Sequence, residues 1–486
     1  MTLSAGMDSS GAAGSSGGPS SGGERAQRTR ERAQRHRQKE AAAAAREVDE
    51  VYAALFSRAL EHQIDPTLDR VRQVCELLGD PQFDYQVIHV TGTNGKTSTS
   101  RMIERLIREH GLRTGRFTSP HLTRVTERIA IDGEPISDEK FIEVYHDVLP
   151  YVELVDQRHL AVGGYRLSFF EVLAVMAFAA FADAPVDVAV VEVGMGGRWD
   201  ATNVVHSQVQ VIAPVAMDHR RYLGDTIAQI ASVKAGIIEA GGTVVVSRQT
   251  PEADEVIAAE AAATGARLVR EDVDLAVVER APAVGGQLLT LRGLGGVYTD
   301  VYLPLFGEHQ AHNALLALAA TEALMTGGAA LDAGVVETAF ADMSSPGRLE
   351  VVRASPTIVV DGAHNPHGVE ALAAALDESF AFSRIVGVIG VMADKDVEAM
   401  LGELEPVLDE VVITHAATSR SMDVDELTAL AGEVFGPERV HRAERLDDAI
   451  AQAVDLAESG VERGAGVVVT GSIYLVAEAR ILLGRG

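Results

Sequence analysis

The chain has 486 residues and carries 42 Lys and Arg against 70 Asp and Glu, a formal net charge of −28 that disfavours nonspecific binding to nucleic acid. Its one cysteine, Cys75, excludes an intrachain disulfide and a cysteine metal cluster. No long charge-free apolar run has membrane-spanning character, so the sequence predicts a soluble protein with two substantial cores and neither a nucleic-acid nor a membrane partner.

Residues 1–45 are Gly/Ser/Ala-rich and then Arg/Gln-rich, with too little apolar surface to offset the entropy of ordering them, and they are expected to be a disordered, solvated tail. Glu24, Glu31 and Glu40 interrupt its arginines, and no apolar signal core follows. Cys75 sits in a helical run ending near Leu78, which suits quiet burial. From residue 46 strand-like and Ala/Leu-rich helical runs alternate, an α/β pattern with a largely parallel sheet; strands are expected at Tyr85–Val90, Val186–Val193, Gln208–Val215 and Thr243–Val246.

The first strand runs into Thr91-Gly92-Thr93-Asn94-Gly95-Lys96-Thr97, followed by helical spacing of Met102, Ile103, Leu106 and Ile107. Such a turn holds a triphosphate: Thr93, Asn94 and Gly95 bring backbone N–H groups to phosphate oxygens, Lys96 adds positive charge, and Thr97 places a hydroxyl on Mg²⁺. The match to a P-loop is imperfect, because Val90 stands where the first glycine is usual. Next come Ser119, an oxygen ligand for the cation, and His121 and Arg128, expected to contact an anionic substrate. Glu192 lies late in an apolar strand and needs a partner if buried; Mg²⁺ beside a triphosphate suits it. His219 follows another strand as a cation ligand or water-orienting group, while Asp218 fits a turn-organising role. Lys234 shares a helix face with Ile227, Ile230, Ile237 and Ile238, either as a snorkelling lysine or as one carbamylated into an anionic oxygen ligand.

From Leu268 to Leu303 short β-like pieces, broken at Gly285-Gly286 and Gly295-Gly296, predict hairpins at a sheet edge. Gln310 and Asn313 at the mouth of the next helix are candidates for reading adenine or ribose. The turn formers 342–347 mark a linker between an ATP-binding domain, 46–341, and a smaller α/β domain, 348–486, with strands near Thr357–Val360, Ile385–Ile389, Glu410–Thr414 and Gly466–Thr470. Arg348 is placed to reach phosphate across the linker. After the first of these strands, Asp361 is suited to accept ribose hydroxyls and His364 to donate to phosphate or help organise attack.

The ordered set Thr91–Thr97, Thr118-Ser119-Pro120-His121-Leu122, Glu192–Gly197, Met217-Asp218-His219, Lys234-Ala235-Gly236 and Asp361–Pro366 resembles the bacterial folylpolyglutamate synthase/dihydrofolate synthase family of Mur ligase-like enzymes. The resemblance implies a P-loop domain and a Rossmann-like C-terminal domain enclosing ATP, and transfer of L-glutamate to a reduced folate or dihydropteroate through an acyl phosphate. It implies Lys96, His219, Lys234 and His364 as catalytic groups and Thr97, Ser119 and Glu192 around Mg²⁺. It places His219 and a carbamylated Lys234 at a second cation, with room for a monovalent ion, and Gln310, Asn313, Arg348, Asp361 and His364 on the nucleotide side. A cytoplasmic monomer is the matching expectation. Val233 departs from the family, whose members often carry Glu before this lysine. The runner-up readings are a peptidoglycan-precursor amino-acid ligase and an ATPase that works by conformational change.

Overall fold

The computed structural model describes residues 21–58, 67–459 and 464–485. It opens on α1 (Ser21–Phe56), α2 (Asp69–Leu77), β1 (Gln86–Thr91), α3 (Lys96–Glu109), β2 (Thr114–Phe117), β3 (Ile129–Ile131), β4 (Glu134–Pro135), α4 (Asp138–Ala161) and α5 (Phe169–Asp183). Then come β5 (Val188–Glu192), β6 (Val209–Ile212), α6 (Arg220–Leu223), α7 (Ile227–Ala235), β7 (Thr243–Val246), α8 (Pro251–Thr264) and β8 (Arg267–Arg270). These eight strands form one sheet in the order β4-β3-β2-β5-β1-β6-β7-β8, parallel from β2 to β8 with an antiparallel edge.

Both faces of the central strands are covered, which is why they read as unbroken apolar runs. Val87, Ala189 and Val191 face one core with α2, α4 and α5, while the alternate residues Ile88, Val90, Val188 and Val190 face another with α3. Cys75 is buried in the first core, as its helical setting predicts.

Two expectations need correction. Residues 21–45 belong to α1, whereas residues 1–20 lie outside the described residues. Ala, Arg, Gln and Glu are strong helix formers, and the helix is anchored where Val48, Val51 and Leu55 enter the first core. The pieces after residue 268 do not edge the main sheet: β8 pairs with it, but β9 (Ala276–Ala283), β10 (Gly286–Arg292) and β11 (Val297–Leu303) form a separate antiparallel sheet. Leu289, Leu291 and Val301 pack there on α9 (Glu308–Thr326) and α10 (Ala333–Ala341).

The chain then passes into a six-stranded sheet: β12 (Glu350–Ala354), β13 (Thr357–Val360), α11 (Pro366–Ser379), β14 (Arg384–Ile389), β15 (Glu410–Ile413), β16 (Val440–Arg442) and β17 (Ala465–Thr470). Its order, β12-β13-β17-β14-β15-β16, is parallel except for β12. The exits of β1, β5 and β6 and those of β13 and β14 meet around one cavity, the crevice that open α/β sheets offer to ligands.

Candidate active site

The turn after β1 folds as it does because Gly92 and Gly95 take backbone angles closed to other residues there. Gly95 has φ +84 at the N-cap of α3, and a Cβ on it would meet Asn313 Oδ1 at 2.5 Å. Lys96 leads α3 and folds back, its ammonium donating to the carbonyls of Gly92 and Thr93 at 3.2 Å each. Burial lowers its pKa, opposed by the charges of Glu192 and Asp218. Thr93 bridges to the exit of β6, donating its hydroxyl to Ala216 O and accepting from Ala216 N.

Glu192, 1% exposed, is met by the Thr97 hydroxyl at 2.9 and 3.0 Å and by the Ser119 backbone N–H. Burial raises its pKa, opposed by the charge of Lys96 and the Thr97 hydroxyl. One carboxylate beside a helix-start hydroxyl and a phosphate loop is the donor set that Mg²⁺ uses with nucleotide, and Thr97, Ser119 and Glu192 therefore fit the ion. Among the described residues no cluster of three or more His, Cys, Asp or Glu forms a cage by itself, so phosphate and water must complete any such shell.

Lys234 is not a snorkelling lysine. It is 4% exposed, and its ammonium donates to Gly92 O at 2.7 Å. Burial, with repulsion from Lys96, brings its pKa down to about 7. The helix α7 ends at Ala235, so Ile237 and Ile238 share its apolar surroundings from the following turn. His219 has left-handed φ of +50 and starts the short helix α6; desolvation takes its pKa to about 4.

Arg348, Asp361 and His364 enter from the second sheet. Asp361 also makes the turn, Leu349 N and Ala363 N each donating to it at 2.8 Å, and its carboxylate keeps lone pairs toward the cavity. His364 Nδ1 lies 2.9 Å from Gly362 O, which can only accept, so Nδ1 carries the proton. Desolvation lowers its pKa to about 4, and with Nδ1 held at Gly362 O, Nε2 is the ring atom left for the cavity. Gln310 and Asn313 also differ from free base readers. Asn313 donates to Gln310 Oε1 at 3.1 Å and Gln310 reaches Ser98 Oγ at 3.5 Å, bracing α9 against the start of α3.

All these groups line one cavity of 2080 Å³. His121 and Arg128 do not; Arg128 donates to His121 Nδ1 at 2.9 Å and stacks on Phe169, while His121 meets Tyr52 edge-on. Their expected contact with an anionic substrate is corrected to a packing role between α1 and α5. Three groups were missed in the sequence. Lys395 and Asn365 converge on Asp218, and Asp200, raised to about 6 by burial, faces the cavity beside Trp199. Lys395 and Asn365 follow apolar strands, a signal that points to the ligand end of such a sheet.

Residues 149–321 match the Mur ligase middle domain, and residues 347–473 match the glutamate ligase domain of Mur ligases. A dihydrofolate synthase/folylpolyglutamate synthase of Mycobacterium tuberculosis is 51% identical over 451 residues, 89% of this chain and 93% of that protein. The chain belongs to the folylpolyglutamate synthase/dihydrofolate synthase family. A Bacillus subtilis member of that family is 34% identical over 428 residues, covering 87% of this chain and 96% of its own. The Mycobacterium tuberculosis folylpolyglutamate synthase structure complexed with ADP and AMPPCP superposes with a TM-score of 0.87 at 50% identity, over 91% of this chain and 99% of that one. The two-part α/β architecture of this synthase family member is thus the Mur ligase-like one, a P-loop domain followed by a smaller C-terminal α/β domain.

Proposed function

We propose that this chain is an ATP-dependent ligase that joins L-glutamate to the carboxylate of a reduced folate, and to dihydropteroate in dihydrofolate synthesis. The observation that carries the reading is the convergence on one cavity of the Lys96 loop and Glu192 from the first sheet with Arg348 and His364 from the second. The 51% identical relative supports the substrate class.

In this reaction a substrate carboxylate oxygen attacks the γ-phosphorus of ATP and ADP departs, leaving an acyl phosphate. The amine of glutamate then attacks the acyl carbon, losing a proton, and phosphate leaves as the amide forms. Lys96, relieved of the Gly92 and Thr93 carbonyls, neutralises charge on the transferring phosphoryl group, and Arg348 does so from the other side. The meeting of the two sheets aligns the reactants and keeps water from the acyl phosphate. Thr97, Ser119 and Glu192 would hold Mg²⁺, which when bound would supply Lewis-acid stabilisation of phosphate charge.

Lys234 is read as a carbamylation site, because an amine near pKa 7 offers a neutral nitrogen that adds to CO₂ at neutral pH. With His219 it would then hold a second cation, divalent or monovalent. The chain is read as a cytoplasmic monomer; among the described residues no helix is long and apolar enough to cross a membrane. A mass-resolved assay with dihydropteroate, reduced folates and UDP-linked cell-wall precursors tests the assignment. ADP should appear one for one with glutamyl folate amide, and product from UDP-linked precursors alone would replace the reading with a peptidoglycan-type ligase.

A further inference from the structure

Three polar side chains stand on one face of the central strands β1 and β6. His89, Thr91 and Gln210 are each 0% exposed, and His89 and Gln210 are partners in register, so all three point to the same side. Each reaches the loop 194–207 that follows β5. Thr91 donates its hydroxyl to Gly196 O at 2.7 Å, Gln210 donates to Ser207 O at 2.6 Å, and His89 Nε2 lies 2.9 Å from the Thr202 hydroxyl. A polar group buried in a sheet is costly unless it is bonded, so the three together specify where that loop sits.

The His89 contact continues beyond Thr202. The Thr202 hydroxyl donates to Asp200 Oδ1 at 2.5 Å, and the backbone N–H groups of Thr202 and Met195 donate to Oδ1 and Oδ2 at 2.9 Å each. Main-chain donors require Asp200 to accept, and with a pKa of about 6 its carboxylate is ionised at neutral pH. Thr202 has a single hydroxyl hydrogen, and Asp200 takes it. His89 is held neutral by desolvation, its pKa about 3, and so carries one ring hydrogen. That hydrogen must be on Nε2, because the Thr202 oxygen can then only accept. Nδ1 is left bare, and it is the ring atom that finds no partner among the described residues. The bonds therefore run one way, from β1 through Thr202 to Asp200. Asp200 in turn closes the loop back on Met195 and lines the cavity with Phe170 and Trp199.

We propose that His89 and Thr202 are positioning residues: a one-way hydrogen-bond chain from the centre of the first sheet holds the Asp200 turn as a fixed wall of the cavity. Neither side chain lines the cavity itself. The inference rests on the ligase reading above, in which the Lys96 loop and Arg348 serve the nucleotide and the wall of Phe170, Trp199 and Asp200 falls to the folate.

Steady-state kinetics of the full chain tests it, with KM taken separately for the folate substrate and for ATP. His89→Leu strips the donor and leaves the Thr202 oxygen unsatisfied, while Thr202→Val breaks the chain at its middle. Each should raise KM for the folate about tenfold and keep KM for ATP within about twofold. His89→Gln, whose amide donates in place of Nε2, should stay within about threefold of the parent. In the Thr202→Val background, His89→Leu should add less than about twofold. Equal rises in both KM values would mean general damage to the sheet and overturn the inference. So would the same cost of His89→Leu in both backgrounds, or a parental folate KM in His89→Leu. If His89→Leu does not fold, Thr202→Val and Thr202→Ser carry the test: folate KM should rise with Val and return with Ser, which restores the hydroxyl. Nitrogen-15 spectra of the histidine-labelled chain need no folate chemistry. The ring signal that vanishes in His89→Gln should be that of a neutral imidazole protonated at Nε2, and protonation at Nδ1 overturns the chain of bonds whatever the substrate. A parent with the Nε2 tautomer that makes no glutamyl amide counts against the ligase reading alone.

Discussion

Gly95→Ala puts a methyl group into the tightest point of the phosphate loop. Two costs add. The residue has φ +84, and holding an L-residue in left-handed geometry costs about 1–2 kcal/mol. The new Cβ would also stand 2.5 Å from Asn313 Oδ1 and 3.3 Å from its Cγ. Asn313 is buried and donates to Gln310, so it cannot swing clear, and overpacking of this kind costs about 1–3 kcal/mol. The loop relieves the sum by shifting, which misaligns the amides meant for phosphate. If about 2 kcal/mol is expressed in binding, the dissociation constant for Mg²⁺–AMPPCP rises about 30-fold. Gly111→Ala is the internal control: it lies past the other end of α3 with φ +82, and nothing stands within 4 Å of its Cβ position. It should lower the melting temperature through the dihedral cost alone and leave nucleotide affinity unchanged. Calorimetric titration of both variants decides; parental affinity in Gly95→Ala, or an equal loss in Gly111→Ala, would refute the reasoning.

Lys96→Ala should cut ADP production about 10²–10³-fold with an unchanged far-UV spectrum, since it removes phosphate-neutralising charge but no core packing; turnover assays beside circular dichroism check this. Glu192→Gln should raise the Mg²⁺ concentration needed for half-maximal rate, measured by metal titration, because a neutral amide replaces the one carboxylate facing Thr97. His89 is fully buried and held neutral at about pKa 3 by desolvation, against about 6.5 when unfolded. The unfolded chain therefore binds the extra proton between these values, so stability falls as pH drops from about 6.5 toward 3. His89→Gln should flatten that slope by up to one proton in denaturant melts taken across the window. Phe178→Ala, in the first core, should cost about 3–5 kcal/mol in the same melts.

What the sequence revealed was whatever chemistry is local. The phosphate loop is a strand, a glycine turn, a lysine and a helix within a dozen residues, and Glu192 betrays itself as a carboxylate in an apolar strand. Composition misjudged α1, because a polar Ala/Arg/Gln run that cannot build a core alone still forms helix when its last turns dock on one. The glycine pairs after residue 268 announced hairpins correctly, but pairing partners are set by tertiary packing, and β9–β11 chose each other. His121 and Arg128 look like anion contacts until Tyr52 and Phe169 are placed beside them. Asp218 and Lys395 were beyond reach for a similar reason: neither residue signals a partner 177 positions away.

The carbonyl of Gly92 receives two lysines, Lys96 and Lys234, one from each side of the loop. Before any carbamylation two amines share this one neutral oxygen, and the protonated share of Lys234 repels Lys96 there. Any oxyanion that enters lets Lys96 swing away and releases that repulsion, so part of the affinity for phosphate is stored in the empty protein. Simple phosphate or sulfate should then raise the melting temperature more than equal ionic strength of chloride, and Lys234→Met should erase much of that difference. A loop under such tension discriminates by charge before it discriminates by shape.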